Sequence, residues 1–210
     1  MARIGNERTL QFFLLFLAGF LFAVEATGTA ASPVAYVRGV LDEVMVIQSD
    51  PSMAGPAHRS ERKKLIEDVI ARNFDMERMA ETALGDHWQK LDGHQRQEFI
   101  SVFSDLFQDS YTRMVLNFLH VENIAYTPQK DGGKEPLVKT VIERPDKNIP
   151  VNYRLEKREA GWRIQDVVID DVSIALTYHS SFSRVIKTKS YQTLLEKLRL
   201  QQKAVQEKSP

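Results

Sequence analysis

The chain has 210 residues, 43% of them hydrophobic and 27% charged, enough for one globular domain with a short appendage; disorder and collagen-like repeats are excluded. Its 28 lysines and arginines balance 28 aspartates and glutamates, so no bulk charge draws it to nucleic acid or to an anionic bilayer. No cysteine is present, which removes disulfides, a thiolate nucleophile and cysteine metal ligands.

Arg3 and Arg8 precede an apolar run from Phe12 to Val24, and small residues follow from Ala26 to Ala31. That is the layout of a secretory signal. As a helix the run reaches about 20 Å, short of the roughly 30 Å hydrocarbon core of a bilayer. Residues 1–31 are therefore expected to be a cleaved leader, with the cut between Ala26 and Ala31. Residues 32–200 are expected to form a single domain and residues 201–210 a polar tail. Removing Arg3, Arg8, Glu7 and Glu25 keeps the charge at zero. The export route points to the periplasm.

Ser32-Pro33 reads as an N-cap and a first-turn proline, and Val34, Val37, Leu41, Val44 and Ile47 follow at helical spacing. The stretch Asp50 to Ala57 is a loop, and a second helix carries Leu65, Ile66, Val69, Ile70 and Phe74. Asp75 caps a third helix that ends at Gly85, and a turn holds His87 and Trp88. Asp92 and Gln95 form a capping box before a long helix with Phe99, Phe103, Phe107, Tyr111, Val115 and Phe118 on its apolar side. The period then changes to two. Strands are expected over Val121 to Thr127, Leu137 to Arg144, Ile149 to Lys157 and Gly161 to Ile169, with turns at Gly132-Gly133, Pro145-Asp146 and Glu159-Ala160-Gly161. Two further helices run from Val172 to Ile186 and from Tyr191 to Leu200. The class is α+β: a curved antiparallel sheet of about four strands covered by about six helices.

Catalytic signals are sparse. No two of His58, His87, His94, His120 and His179 stand three or four apart as ligands on one helix turn require. Ser180 and Ser181 beside His179 lack a glycine-flanked elbow, and Gly132-Gly133 lacks the lysine of a phosphate loop. Asp170-Asp171 reads as a turn or cap. Asp166, an acid within an apolar run, has two readings: a group facing a cavity, or a polar residue on the solvent side or at a bulge. The long helix and the row Val151, Tyr153, Leu155, Trp162, Ile164 and Val168 offer bulky groups that either line a hole or fill it.

Five fragments carry a resemblance: Asn73-Phe74-Asp75-Met76-Glu77-Arg78-Met79-Ala80; Ala83-Leu84-Gly85-Asp86-His87-Trp88; Gln95-Arg96-Gln97-Glu98-Phe99; Gly161-Trp162-Arg163-Ile164-Gln165-Asp166-Val167-Val168-Ile169; and Val172-Ser173. In this order they resemble the toluene-tolerance, or MlaC-type, family of periplasmic phospholipid-binding proteins, over about Pro33 to Leu200. The resemblance implies helices on a curved antiparallel sheet and a deep apolar cavity for acyl chains. It further implies shuttling between an outer-membrane lipoprotein complex and an inner-membrane ABC transporter complex. A related branch is associated with hopanoids. On that reading the candidate lipid-binding residues are Phe103, Phe107, Tyr111 and Val115 on the long helix and Val151, Tyr153, Leu155, Trp162, Ile164 and Val168 on the sheet. Leu84 and Tyr178 are candidates for the rim. No cofactor, metal, nucleic acid or catalytic residue is called for. The competing accounts are a cavity enzyme of hydrolyase or isomerase type, with Asp166 or His87 as base, and a structural adaptor with a filled core.

Overall fold

The computed structural model describes residues 31–119, 123–127 and 135–207. Residues 1–30 of the expected leader, His120, Val121, the Gly132-Gly133 turn and the last three residues lie outside the described residues.

Helix α1 (Pro33–Ser49) starts as local chemistry dictates: the Ser32 hydroxyl accepts from the Ala35 amide, and Pro33 gives up a donor the first turn cannot use. Its buried face is Val37, Val40, Leu41, Val44 and Ile47. Helix α2 (Arg59–Asn73) buries Ile66, Val69 and Ile70. Helix α3 (Met76–Leu84) is capped by Asp75, whose carboxylate accepts from the Arg78 amide, and is closed by Gly85 at φ 55°. Only glycine takes that φ without strain, and here the space is closed too: a Cβ would sit 2.4 Å from the His179 ring. Helix α4 (Gly93–Phe118) opens on the Asp92–Gln95 capping box and runs 26 residues through the middle of the fold.

The sheet contains β1 (Asn123–Tyr126), β2 (Leu137–Glu143), β3 (Asn148–Arg158), β4 (Gly161–Ile169) and β5 (Val172–Ser173). Each strand pairs antiparallel with its chain neighbours, in the order β1-β2-β3-β4-β5. The expected class is correct, with one correction: five strands rather than about four. Val172 and Ser173, expected inside a helix, form the fifth strand after an Asp170-Asp171 turn in which both residues have positive φ, 49° and 63°. This is the two-residue hairpin geometry in which aspartate is tolerated.

Register shifts between β3 and β4: Arg154 faces Asp166 but Leu155 faces Ile164, leaving Gln165 as the extra residue of a bulge. Beyond β5's reach, Phe74 bridges to Ile164 and the Asp75 amide donates to the Ile164 carbonyl at 2.8 Å, covering an otherwise open edge. Helices α5 (Ile174–Thr188) and α6 (Tyr191–Glu207) complete the chain, and α6 continues past Leu200. Among the described residues no helix is long and apolar enough to cross a membrane.

Candidate functional site: an apolar cavity between three helices and the sheet

Three helical stripes meet over the concave sheet without filling the space between them. Val40, Leu41 and Val44 come from α1, Ile66, Val69 and Ile70 from α2, and Tyr111, Met114, Val115 and Phe118 from α4. The i, i+3, i+4 spacing in each points one face inward. The sheet supplies Ile142, Ile149, Val151, Tyr153, Ile164 and Ile169, and Phe74 and Leu119 close the remaining wall. The cavity, partly open to solvent, measures about 320 Å³. Ligand pockets begin at about 300 Å³, and an apolar hole of about 150 Å³ stays dry yet accepts benzene. A void of this size is therefore more than a packing defect, and away from its charged end the side-chain polar groups on its walls are two hydroxyls.

Those belong to Tyr111 and Tyr153, which lie close enough to perturb each other's ionisation. Burial pushes the Tyr111 phenol up to about 12, against a smaller lowering effect from Tyr153. Burial also raises Tyr153 well above the ordinary tyrosine range, and its neighbour Tyr111 adds to the effect. Both phenols stay neutral at physiological pH. At one end of the cavity stand Lys147 and Asp170, the charged members of its lining. Nearby, the Gln48 amide donates to the Leu119 carbonyl at 2.5 Å and Arg144 donates to the Phe118 carbonyl, so α1 and the β2–β3 turn both hold the last turn of α4.

Of the twelve residues proposed from sequence, Tyr111, Val115, Val151, Tyr153 and Ile164 line this cavity. The other seven do not. Phe103 lies one helical turn beyond Phe107 and is enclosed by Phe99, Tyr178 and Phe182, with its ring centroid 5.3 Å from that of Tyr178. Phe107 stacks on Tyr111, meets Phe74 at a tilt and is 1% exposed. Here α5 fills what the aromatic stripe leaves, so Phe103, Phe107 and Tyr178 are core. Leu84 and Leu155 are core as well, fully buried away from the void. Trp162 lies at the far end of β4, donating from Nε1 to the Ala31 carbonyl at 2.7 Å. Val168 is displaced by the bulge: past Gln165 the alternation inverts, so Ile169 faces the cavity and Val168 pairs with Asn152 on the other side.

The apolar stripes of α1 and α2 were visible in the sequence as core faces; nothing in their spacing marked them as walls. Neither candidate base touches the cavity. Asp166 accepts from the Ser173 hydroxyl at 2.6 Å and from the Ala175 amide at 3.0 Å, so beside the bulge it holds the Ser173 N-cap and satisfies a first-turn amide of α5. His87 stacks on Tyr191, and burial lowers its pKa, with Lys90 adding to the shift. Among the described residues no group of three or more His, Asp or Glu side chains could hold a metal.

The sequence model of the MlaC protein family matches residues 38–200. The chain belongs to the MlaC family. Among solved structures, this MlaC-family chain is similar to a phospholipid-binding protein from Ralstonia solanacearum, determined in complex with a phospholipid. The two share 23% sequence identity, and the match covers 83% of this chain and 99% of that one with a TM-score of 0.71. At that identity the likeness is one of fold. None of the curated proteins compared matches the chain.

Proposed function

We propose that this protein is an exported, periplasmic lipid carrier that takes phospholipid acyl chains into the cavity between α1, α2, α4 and the sheet. It passes lipid between an outer-membrane lipoprotein complex and an inner-membrane ABC transporter complex. The supporting observation is the cavity itself: a hole of about 320 Å³, apolar on nearly all sides, in a chain that shares its fold with a protein solved around a phospholipid.

The energetics suit the task. Two acyl chains carry roughly 30 methylenes, and at about 0.8 kcal/mol each their exposure to water costs on the order of 25 kcal/mol. A free lipid does not cross an aqueous compartment against that barrier. A carrier need only match the bilayer's burial, so that a partner's preference for one of its conformations loads or empties it. If about 150 Å³ seats the six carbons of benzene, about 320 Å³ seats roughly a dozen carbons. A two-chain lipid therefore requires the cavity to widen.

Mass spectrometry of an organic extract of the purified protein tests this reading. Phospholipid is the expected ligand. Protein that comes empty and takes no lipid from vesicles would overturn the carrier assignment, and a polycyclic hydrocarbon would move the ligand class to hopanoids.

A further inference from the structure

The cavity has a direction, and rings close its inner end. Along α4 the lining runs inward from Phe118, 58% exposed, to Tyr111, and along β3 from the half-buried Ile149 to the buried Tyr153. The register orients β4 the same way: Ile169 pairs with Val151 toward the mouth, and the buried Ile164 pairs with Leu155, beyond Tyr153. At the inner end the rings of Phe74, Phe107 and Tyr111 form a triangle, their centroids 5.5, 5.4 and 5.4 Å apart. Phe74 and Tyr111 line the cavity, and Phe107 stands behind them. Phe103 stacks on Phe107 in turn, so the aromatic core continues beyond this floor.

Depth and volume lead to the same ligand. From Phe118 to Tyr111 is seven helical residues, about 10 Å, and from Ile149 to Tyr153 is four extended residues, about 13 Å. One leaflet of a bilayer is half of a roughly 30 Å hydrocarbon core and houses chains of about 15 methylenes. A depth of about 10–13 Å therefore takes about 10–13 methylenes of a chain lying along it. The volume of about 320 Å³, which seats roughly a dozen carbons, gives that number by an independent route. A single acyl chain satisfies both, whereas two chains side by side at this depth need about twice the space.

We infer that the Phe74–Phe107–Tyr111 triangle is a stop that selects acyl-chain length, admitting about a dozen carbons and turning back the end of a longer chain. The inference rests on the carrier reading above and narrows its ligand class to lipids with chains of that length, a single-chain lysophospholipid first among them. The stop is anchored to the sheet: Phe74 bridges to Ile164, and the adjoining Asp75 amide donates to the Ile164 carbonyl. A cavity that widens for a second chain therefore keeps its depth. In a bilayer every methylene is buried whatever the chain length, whereas methylenes that the stop holds back remain at the mouth in water. Each of those lowers loading about fourfold. Met114 and Phe118 at the mouth shield part of the excess, so lengthening a chain from twelve to sixteen carbons is expected to cost at least about tenfold.

The test is competitive loading of the purified protein from phosphatidylcholine vesicles doped with equal amounts of lysophosphatidylethanolamines of twelve, fourteen, sixteen and eighteen carbons, read by native mass spectrometry. The wild-type protein is expected to favour the twelve-carbon lipid over the sixteen-carbon one at least about tenfold. Phe74→Leu takes a ring out of the stop and is expected to move the fall-off about two carbons longer. Ile164→Phe adds a ring beside it and is expected to move the fall-off about two carbons shorter. Equal wild-type loading at all four lengths, or an unchanged profile in either variant shown by circular dichroism to be folded, would overturn length selection and leave the carrier reading standing. Uptake of phosphatidylcholine without any lysolipid would do the same. A wild-type protein that takes up neither lipid would overturn both readings together.

Discussion

Tyr111 on the long helix α4 and Tyr153 on strand β3 face each other across the wall of the cavity, each perturbing the ionisation of the other. Removing one hydroxyl strands the other against hydrocarbon, whereas removing both leaves two phenyl rings in an apolar space. Tyr153→Phe is expected to cost about 1 kcal/mol, and Tyr111→Phe combined with Tyr153→Phe less than the sum of the single changes. Chemical denaturation of the four proteins in the cycle measures this.

The same burial governs the alkaline limb of stability. All six tyrosines, Tyr36, Tyr111, Tyr126, Tyr153, Tyr178 and Tyr191, are shifted upward, each with burial as the leading cause. A phenol whose native pKa lies above its unfolded value stabilises the fold fully below pH about 10, and that stabilisation is lost as pH rises through the native value. Tyr111, at about 12, sets a window for that loss from about pH 10 to 12. A spectrophotometric titration is expected to show little phenolate near pH 10 and a late rise that coincides with loss of near-ultraviolet circular dichroism. Independent ionisation of most tyrosines near pH 10 in a folded protein would contradict the burial.

Cavity wall and core separate experimentally. Val151→Phe puts a ring into the void, so it is expected to reduce lipid loading severalfold while changing stability by less than about 1.5 kcal/mol. Leu155→Ala, in the solid core, is expected to cost about 2–5 kcal/mol with loading per folded molecule unchanged. Val151→Asp buries an unpaired carboxylate and is expected to lose both lipid and stability.

Gly85 is irreplaceable on two counts, its φ of 55° and the His179 ring that a Cβ would meet at 2.4 Å. Gly85→Ala is expected to cost about 2 kcal/mol or more, read as a drop in Tm.

Asp166→Ala removes two accepted hydrogen bonds at the start of α5 and leaves the buried Ala175 amide unpaired. The expected cost is about 2 kcal/mol, with lipid loading retained. A variant that folds normally but loses a measurable turnover would revive the enzyme account.

Local chemistry was legible from the chain, and long-range placement was not. The Ser32 cap, the Asp92–Gln95 box and Gly85 each declare themselves within a few residues, because the groups that satisfy one another are sequence neighbours. Strand β5 escaped notice because two residues cannot display an alternation. Val168 was placed on the wrong face because strict alternation fails at a bulge, and Gln165 carries no signature of one. The aromatic stripe of α4 was correctly seen as one face, yet whether Phe103 or Tyr111 borders a void depends on how far α5 reaches, which no spacing in α4 encodes. Lys147 and Asp170 were indistinguishable from other surface charges until the fold set them at one end of the cavity.

Every strand of the sheet joins its immediate successor, and all of them lie on the C-terminal side of α1, α2 and α4. As the polypeptide is made from its amino end, the greasy faces of those three helices have no opposing layer until the hairpins through Ile169 have been synthesised. During that interval Val40, Ile66 and Val115 are shielded from water only by one another or by a chaperone. The half-built protein is thus itself a hydrophobic surface awaiting cover, to be guarded against aggregation until its own cavity exists.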